Sequence, residues 1–209
     1  MPSPEPDIAE LVRVARSLFN RGYSFGTAGN VSVRVGDLVY ATPTGSSFEI
    51  VRAEEIAVGR MDGTVTGKIK PTKELPFHLA AYRARPDARA VVHLHSTYAT
   101  AVACLRNLDT QNALPPLTAY FAMRVPALPV VPYLPPGDEG LALEVERLAR
   151  DTPAMLMRNH GSIAIGRTLA EASALAEEIE ETSRLYLLLG DRAQPLTPEQ
   201  VTELRRRFA

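Results

Sequence analysis

The sequence predicts an α/β (α+β) fold in which helices pack on a mainly antiparallel or mixed central sheet. Short apolar runs, several of them alternating with polar residues and ending at tight turns, fill residues 25–61 and recur at 154–166. Longer amphipathic segments precede, separate and follow these runs. Because strands joined by tight turns pair antiparallel, the sheet is expected to be largely antiparallel and covered by the helices. No change of composition marks a linker, so residues 1–209 are expected to form a single domain.

In the N-terminal part, one helix is followed by several short strands and a second helix. Apolar residues spaced three and four apart predict the helix at residues 7–20, and Gly22 is typical of a helix end. Turn sequences then separate three predicted strands, NVSVRV (30–35), LVYAT (38–42) and IAVGRM (56–61). The segment ELPFHLAAYRAR predicts a helix at 74–85, where Pro76 is tolerated because it lies in the first turn.

The C-terminal part begins with a predicted strand, AVVHLH (90–95), and a helix of small residues at 97–105. A long connection at 107–118 follows, and loops of this length are often functional. The remaining predicted elements are strand ALPVV (127–131), helix 138–150, strands AMLMR (154–158) and SIAIG (162–166), and helix 168–189.

The composition excludes several classes of protein. The chain has 209 residues, of which 45% are hydrophobic and 22% charged, and this balance is typical of a globular protein. Its 23 basic and 24 acidic residues leave a net charge of -1, which argues against a nucleic-acid partner because such proteins need a basic face. No apolar run has the length of a membrane span, and the polar segment MPSPEPDIAE is unlike a signal peptide. Neither a membrane partner nor secretion is therefore expected.

Cys104 is the single cysteine of the sequence. An intramolecular disulfide is therefore impossible, and a reducing compartment such as the cytoplasm is expected. The surrounding segment YATAVACLR is rich in small apolar residues, which predicts that Cys104 is a small buried residue of the core.

Three of the four histidines form the pattern of a metal site. His93 and His95 lie in a predicted strand, where side chains two residues apart point the same way, so both imidazoles can bind one ion while Leu94 packs into the core. His160 follows another predicted strand at a tight turn, from which it can reach a neighbouring strand end. Three neutral imidazoles suit zinc and leave an open coordination position, where the cation can polarise a carbonyl and stabilise an enediolate.

Other interpretations of the histidines stay open at this point. His93 and His95 could be two half-exposed strand histidines without a metal, because short motifs often occur by chance. A structural zinc is disfavoured, since no cysteine pair is present to complete its coordination. His78, in the predicted helix after Glu74, is expected to be partly buried and hydrogen-bonded to backbone rather than a ligand.

A carboxylate and two turns complete the pattern of a candidate active site. Glu74 at a helix start could donate or accept a proton beside the metal, although acidic residues are also favoured there by the helix dipole. The turns GTAGN (26–30) and TPTGSS (42–47) offer backbone N–H groups without bulky side chains, as phosphate sites do. Thr72 and Lys73 precede the predicted helix and could add a third arm to such a site.

The chain resembles the class II aldolase/adducin family over nearly its whole length. The matching segments, in order, are GTAGNVSVR (26–34), TPTGSS (42–47), KPTKELPFHLAAY (70–82), VVHLHSTYATAV (91–102) and MRNHGSIAIG (157–166). The resemblance implies a single-domain three-layer α/β/α sandwich, the class II aldolase fold. It also implies a homotetramer with the active site at a subunit interface.

The resemblance assigns roles to the metal-site residues. One divalent ion per subunit, zinc or another such as Mn²⁺ or Co²⁺, is expected on His93, His95 and His160. Glu74 is the expected catalytic acid and base, and in some members of the family it is a fourth metal ligand.

The resemblance also implies a phosphate pocket around Asn30, Thr44 and Gly45, to which the turn patterns above add Gly29, Thr72 and Lys73. Sugar-phosphate aldolases of the family have a small hydroxyl residue directly before the glutamate. Lys73 occupies that position here, so their phosphate contact does not carry over unchanged. Tyr120 is a candidate for a residue that reaches the adjacent subunit's site, and a packed aromatic residue on a short helix is the ordinary alternative.

Within the family, the chain is most similar to 3-oxo-tetronate 4-phosphate decarboxylases. Three runs carry this similarity: KPTKE (70–74), VVHLHST (91–97) and residues 114–138. This similarity implies decarboxylation of a small phosphorylated sugar acid to dihydroxyacetone phosphate and carbon dioxide through a metal-bound enediolate, with Glu74 supplying a proton. The first alternative is a sugar-phosphate aldolase or 4-epimerase of the fuculose-phosphate or ribulose-phosphate type, or a related dehydratase. The second is a non-catalytic adducin-like interaction module.

Overall fold

The computed structural model describes residues 4–208, and within this range eight strands form one sheet that seven α-helices accompany. The strands are β1 (Asn30–Val35), β2 (Leu38–Ala41), β3 (Ala57–Arg60), β4 (Val65–Thr66), β5 (Ala90–Leu94), β6 (Val130–Val131), β7 (Ala154–Met157) and β8 (Gly161–Gly166). The helices are α1 (Glu5–Asn20), α2 (Leu75–Ala84), α3 (Thr97–Ala103), α4 (Ala119–Arg124), α5 (Glu139–Ala149), α6 (Leu169–Leu189) and α7 (Pro198–Phe208).

The sheet is antiparallel except at one edge. Its strand order is β4-β3-β2-β1-β5-β8-β7-β6, and only the β6–β7 pair is parallel among the described strands. The prediction of a mainly antiparallel sheet is therefore confirmed. The strand that carries His93 lies in the middle of the sheet, between β1 and β8.

Two hydrophobic cores lie on opposite faces of this sheet. Strand β5 contributes to both, because Val92 and Leu94 pack with α1, α3 and α6, while Val91 packs with α2 and α5. Each fully buried side chain of this size contributes about 1.5–3 kcal/mol by leaving water. The expected three-layer α/β/α arrangement is confirmed. A single domain over the whole chain stays a prediction, which the shared sheet supports.

Most of the predicted elements are present with shorter ends, although α1 and β8 begin earlier than predicted. The strand expected at 127–131 is reduced to β6, because Pro129 and Pro132 flank it and proline cannot donate to a ladder. Strand β4, of only two exposed residues, and the polar helix α7 were not predicted. A capping pair marks the start of α7, where the Thr197 N–H donates to Gln200 Oε1 and the Gln200 N–H to Thr197 Oγ1.

The prediction for Cys104 is wrong, because the residue is exposed. It is the C-cap of α3, where the chain leaves the core for the long connection, so its apolar neighbours pack and it does not. Residues 1–3 of the N-terminal segment lie outside the described residues. Between residues 4 and 208 the structure contains no helix long and apolar enough to traverse a bilayer.

Candidate metal centre

Four chain segments meet at one end of the sheet. Asn30 begins β1 and is paired with His93 near the end of the antiparallel neighbour β5. On the other side of β5, Leu94 is paired with Ser162 at the start of β8. The turn with His160 precedes β8, so this residue also lies at the same end. The antiparallel register therefore brings the predicted ligands together from distant parts of the chain.

His93 is fully buried and its ring is fixed from two sides. Phe77 of α2 contacts the ring edge-on, with the centroids 5.4 Å apart. The ring Nδ1 donates to the Ser162 carbonyl oxygen at 2.8 Å. Because a carbonyl can only accept, Nδ1 carries the proton and neutral His93 presents an unprotonated Nε2, which is the form that binds metals.

The other candidate ligands surround this Nε2 atom. His95 Nε2 lies 2.8 Å from it, and Glu74 Oε2 lies 3.2 Å from it. The second carboxylate oxygen, Glu74 Oε1, lies 3.2 Å from His160 Nε2. One ligand atom from each of the four residues lies within 4.8 Å of every other. His93 is buried at this position, which contradicts the alternative of two half-exposed strand histidines.

This donor set fits a divalent cation. An imidazole lone pair and a carboxylate oxygen are both acceptors and repel each other. Their close approach is favourable only when a proton or a cation lies between them. Three imidazoles and one carboxylate are also the ligand types that zinc and similar metals prefer. The structure therefore contains a possible metal site made by Glu74, His93, His95 and His160.

The surroundings favour the forms that bind a cation. Burial opposes ionisation of Glu74, but the electrostatic effect of His93 and the contacts with the His160, His93 and Asn30 side chains outweigh it, so the pKa of Glu74 lies well below its usual value. Burial, and then the neighbouring His93 and His160, lower the pKa of His95 to about 3 against a smaller opposing effect of Glu74. A carboxylate and a neutral imidazole are both ready to ligate.

Two glycines allow the segments around β5 to approach closely. Gly29 has a φ of +81°, and a Cβ there would lie 2.8 Å from the His93 carbonyl oxygen. A Cβ on Gly161 would lie 2.1 Å from the Leu94 carbonyl oxygen. The backbone contact at Gly161 lets the His160 turn pack against the strand that holds the other two histidines. Gly29 therefore has a packing role, and its phosphate role stays a prediction.

We expect Gly161→Ala to destabilise the protein, because the added methyl group meets backbone that cannot rotate away. Overpacking of this kind costs about 1–3 kcal/mol, and each kcal/mol lowers the Tm of a chain of this size by about 2–4 °C. The measurement is thermal unfolding by circular dichroism. Gly59→Ala is the matched control, because its Cβ would meet the movable Leu75 Cδ2 at 3.0 Å. Equal Tm values for the two variants would contradict the proposed packing role.

Glu74 is the N-cap residue of α2 rather than part of the helix. Its backbone N–H donates to Thr72 Oγ1 at 3.2 Å, and its carboxylate Oε2 accepts from Asn30 Nδ2 at 2.7 Å. The local turn and the neighbouring strand therefore hold this carboxylate against the imidazoles.

The predicted phosphate pocket also includes the turn 42–47 and the segment 70–73, and these two segments are hydrogen-bonded to each other. Pro43 and Pro71 form an isolated antiparallel bridge, the Thr44 N–H donates to the Lys70 carbonyl, and the Thr72 N–H donates to the Thr42 carbonyl. The turn with Thr44 and Gly45 therefore lies beside the segment that leads into Glu74. Lys73 is exposed and lines a crevice of about 10 Å³ with Glu74 and Asp138. Phosphate binding by these residues stays a prediction.

Tyr120 lies on the short helix α4, but it is not the packed aromatic residue of the ordinary alternative. Its side chain is 62% exposed, and Arg124 lies 5.8 Å from the ring centroid. It is outside the histidine cluster of this chain. A role at an adjacent subunit stays a prediction.

His78 also differs from its prediction. It is fully buried, and its ring contacts the side chains of Ser32 and Asn30 instead of backbone. It is not part of the ligand cluster among the residues that the structure describes.

A buried carboxylate that the sequence did not indicate supports the site from α6. Glu180 accepts hydrogen bonds from the Tyr98 and Ala99 N–H groups at 2.9 and 2.7 Å. It therefore caps α3, which begins two residues after His95. No local pattern predicts this contact, because the partners are 82 and 81 residues apart.

The chain is similar to known proteins over most of its length. The family described as "Class II Aldolase and Adducin N-terminal domain" matches residues 9–187. A 3-oxo-tetronate 4-phosphate decarboxylase of Pectobacterium atrosepticum is 45% identical over 94% of this chain and 91% of its own. An L-fuculose phosphate aldolase of Methanococcus maripaludis is 35% identical over 88% of this chain and 98% of its own.

A solved structure is similar over nearly the whole chain. The crystal structure of YgbL from Escherichia coli, described as an aldolase, epimerase or decarboxylase, has a TM-score of 0.92 and 43% identity. The match covers 95% of this chain and 97% of that one.

Proposed function

Since the chain belongs to the class II aldolase/adducin family, we propose that it is a metal-dependent carboxy-lyase that converts 3-oxo-tetronate 4-phosphate to dihydroxyacetone phosphate and carbon dioxide. The observation that carries this proposal is the 44–45% identity, over 94% of the chain, to proteins named 3-oxo-tetronate 4-phosphate decarboxylase. The Glu74, His93, His95 and His160 cluster supports it, because the residues that this chemistry needs lie together.

The three histidines would hold one divalent cation, with Glu74 as a further ligand in the absence of substrate. When bound, a cation such as zinc supplies Lewis-acid polarisation of substrate oxygens. Zinc is our proposal for the metal, because the set is rich in imidazole. The hydrogen bond from His93 Nδ1 to the Ser162 carbonyl keeps Nε2 free for this purpose.

The reaction requires one proton to be delivered to carbon. As the bond between C1 and C2 of the substrate breaks, carbon dioxide leaves and the electron pair forms an enediolate across C2 and C3. Protonation at C2 then gives dihydroxyacetone phosphate. Glu74 is the proposed proton carrier, because it lies between His93 and His160 and is held by Asn30. Glu74 delivers the proton to C2 directly or through one water, and it is then protonated again from solvent.

We propose that the substrate phosphate binds beside Glu74, at the turn with Thr44 and Gly45 and the segment with Thr72 and Lys73. The bridge between Pro43 and Pro71 holds these two segments side by side. Lys73 is exposed next to Glu74, where its ammonium group can neutralise either the phosphate or the carboxylate of the substrate.

We also propose that the active form is a cytoplasmic homotetramer. The exposed ring of Tyr120 is available for contact with a neighbouring subunit, and the single cysteine suits a reducing compartment. Light scattering coupled to size exclusion tests the assembly, because the chain mass is 22.8 kDa.

The test of the reaction is a product assay with zinc-loaded protein. Carbon dioxide and dihydroxyacetone phosphate are expected in equal amounts from 3-oxo-tetronate 4-phosphate. A fuculose-type aldolase is the second candidate, because proteins with that name are 35% identical. Aldehyde release from a ketose 1-phosphate without decarboxylation would favour that candidate. Failure to bind metal or to turn over either substrate would favour a non-catalytic module.

A further inference from the structure

Four polar side chains connect Glu74 to the buried interior through consecutive hydrogen bonds. Asn30 Nδ2 lies 2.7 Å from Glu74 Oε2, and Asn30 Oδ1 lies 2.5 Å from His78 Nε2. On the far side of the ring, His78 Nδ1 lies 2.7 Å from Ser32 Oγ. Ser32 Oγ in turn lies 2.7 Å from Tyr82 Oη. We call this set, Tyr82, Ser32, His78 and Asn30, the donor chain.

The direction of every bond in the donor chain follows from its end at Glu74. An ionised carboxylate can only accept, so Asn30 must direct its NH₂ group to Glu74 and its oxygen to His78. His78 Nε2 must then carry a proton, and the neutral ring accepts at Nδ1 from the Ser32 hydroxyl. Ser32 Oγ is then left to accept from Tyr82, whose single hydroxyl hydrogen it shares with the Ser32 carbonyl oxygen 3.1 Å away. All four hydrogen bonds therefore point towards Glu74.

Burial makes this arrangement the favourable one. Ser32 and His78 are fully buried, and Tyr82 and Asn30 are nearly so. If one of these side chains exchanged its donor and acceptor roles, two acceptor atoms would face each other away from water, which is costly. Burial, and then the nearby His93, lower the pKa of His78 to about 3, against a smaller opposing effect of Glu74, so the ring is neutral at physiological pH.

We propose that Asn30 is a positioning residue for Glu74, and that His78 and Ser32 hold Asn30 with its NH₂ group towards the carboxylate. In the family, Asn30 is expected at the phosphate. Here Asn30 Nδ2 bonds Glu74 and Oδ1 bonds His78, so the side chain has a positioning role besides any contact with phosphate. The functional part of this inference rests on the proposed role of Glu74 in decarboxylation, whereas the hydrogen-bond directions do not.

The first test measures the His78 tautomer directly. Zinc-loaded protein labelled with ¹⁵N-histidine contains four labelled rings, and loss of signals in His78→Gln identifies the ring of interest. The ¹⁵N chemical shifts are expected to show a protonated Nε2 and an unprotonated Nδ1. The reverse tautomer would overturn the proposal, because Asn30 would then have to present its oxygen to Glu74. This result is independent of any activity.

The second test measures the effect on turnover. Ser32→Ala and His78→Leu are each expected to lower kcat by about 10–100-fold, as is usual for residues that orient an active-site group, with KM and zinc content little changed. His78→Gln should recover part of the loss, because its amide can place an N–H group where Nε2 lies. Ser183→Ala is the control, since this serine is equally buried and its hydroxyl donates to the Ile179 carbonyl within α6, away from the donor chain.

The two tests separate the inference from the proposed reaction. If the tautomer is as expected but the protein does not decarboxylate the substrate, the proposed function fails and the arrangement of the donor chain stands. If decarboxylation is observed but Ser32→Ala and His78→Leu keep the wild-type kcat, the positioning role is refuted. Thermal unfolding of each variant, compared with Ser183→Ala, removes general loss of structure as the cause of a lower rate.

Discussion

Replacement of Glu74 by glutamine is expected to leave a folded, metal-binding protein that has lost most of its turnover. The amide fits the same space at the N-cap of α2, but it cannot carry a proton to carbon. Loss of a general acid or base costs about 10²–10⁴-fold in rate, and we expect kcat to fall by this amount while KM changes little. The measurement is steady-state formation of dihydroxyacetone phosphate in a coupled assay, with zinc content determined on the same sample.

A carboxylate elsewhere in the chain provides the control for this variant. Glu178 is half-buried on α6, and the burial raises its pKa. Glu178→Gln removes a charge without touching the cluster, so its rate should equal that of the unmodified protein. A near-normal rate for Glu74→Gln would show that another group carries the proton, and the proposed role of Glu74 would be abandoned.

Loss of the His95 imidazole is expected to remove the metal as well as the activity. His95 lies beyond the end of β5, with its ring 4.8 Å from that of His93 and 4.7 Å from that of His160. His95→Ala would leave two imidazoles and one carboxylate. Changes in residues that merely orient ligands cost 10–100-fold in metal affinity, so loss of a ligand itself should cost more than about 100-fold.

The affinity can be measured by competition with a chromogenic zinc chelator, and the zinc content by mass spectrometry after dialysis. The Gly59→Ala protein is a suitable reference, since it retains all four candidate ligands. Thermal unfolding of the metal-free proteins shows whether His95→Ala is folded. A folded variant with unchanged zinc affinity would refute the assignment of His95 as a ligand.

The candidate site could be predicted only in part, and the reasons are physical. Alternation along a strand placed His93 and His95 on one side and Leu94 in the core, and Leu94 is indeed fully buried. The phosphate contact of Asn30 stays a prediction, and nothing in the sequence indicated that its side chain bonds Glu74 and His78, which are 44 and 48 residues away. Whether a polar side chain is free for a ligand depends on such distant partners, and these leave no local signal.

The same distinction explains why the exposure of Cys104 and Tyr120 could not be predicted. Cys104 has apolar neighbours in the sequence, yet it is exposed because α3 ends there and the chain turns away from the core. Tyr120 lies on a short helix as expected, but no element covers its ring among the described residues. Local composition predicts average burial, whereas the position of a helix end or face in the fold decides it.

The sequence by itself determined the types of the main elements, the antiparallel character of the sheet, the family, and the residues that could bind a metal. These follow from local periodicity and from residue types at short spacings. Only the tertiary structure decided that Glu180 caps the helix after His95, that Gly161 must be small against Leu94, and that His78 lies between Asn30 and Ser32. In each case the interacting groups are far apart in the sequence, and whether they meet depends on how distant segments pack.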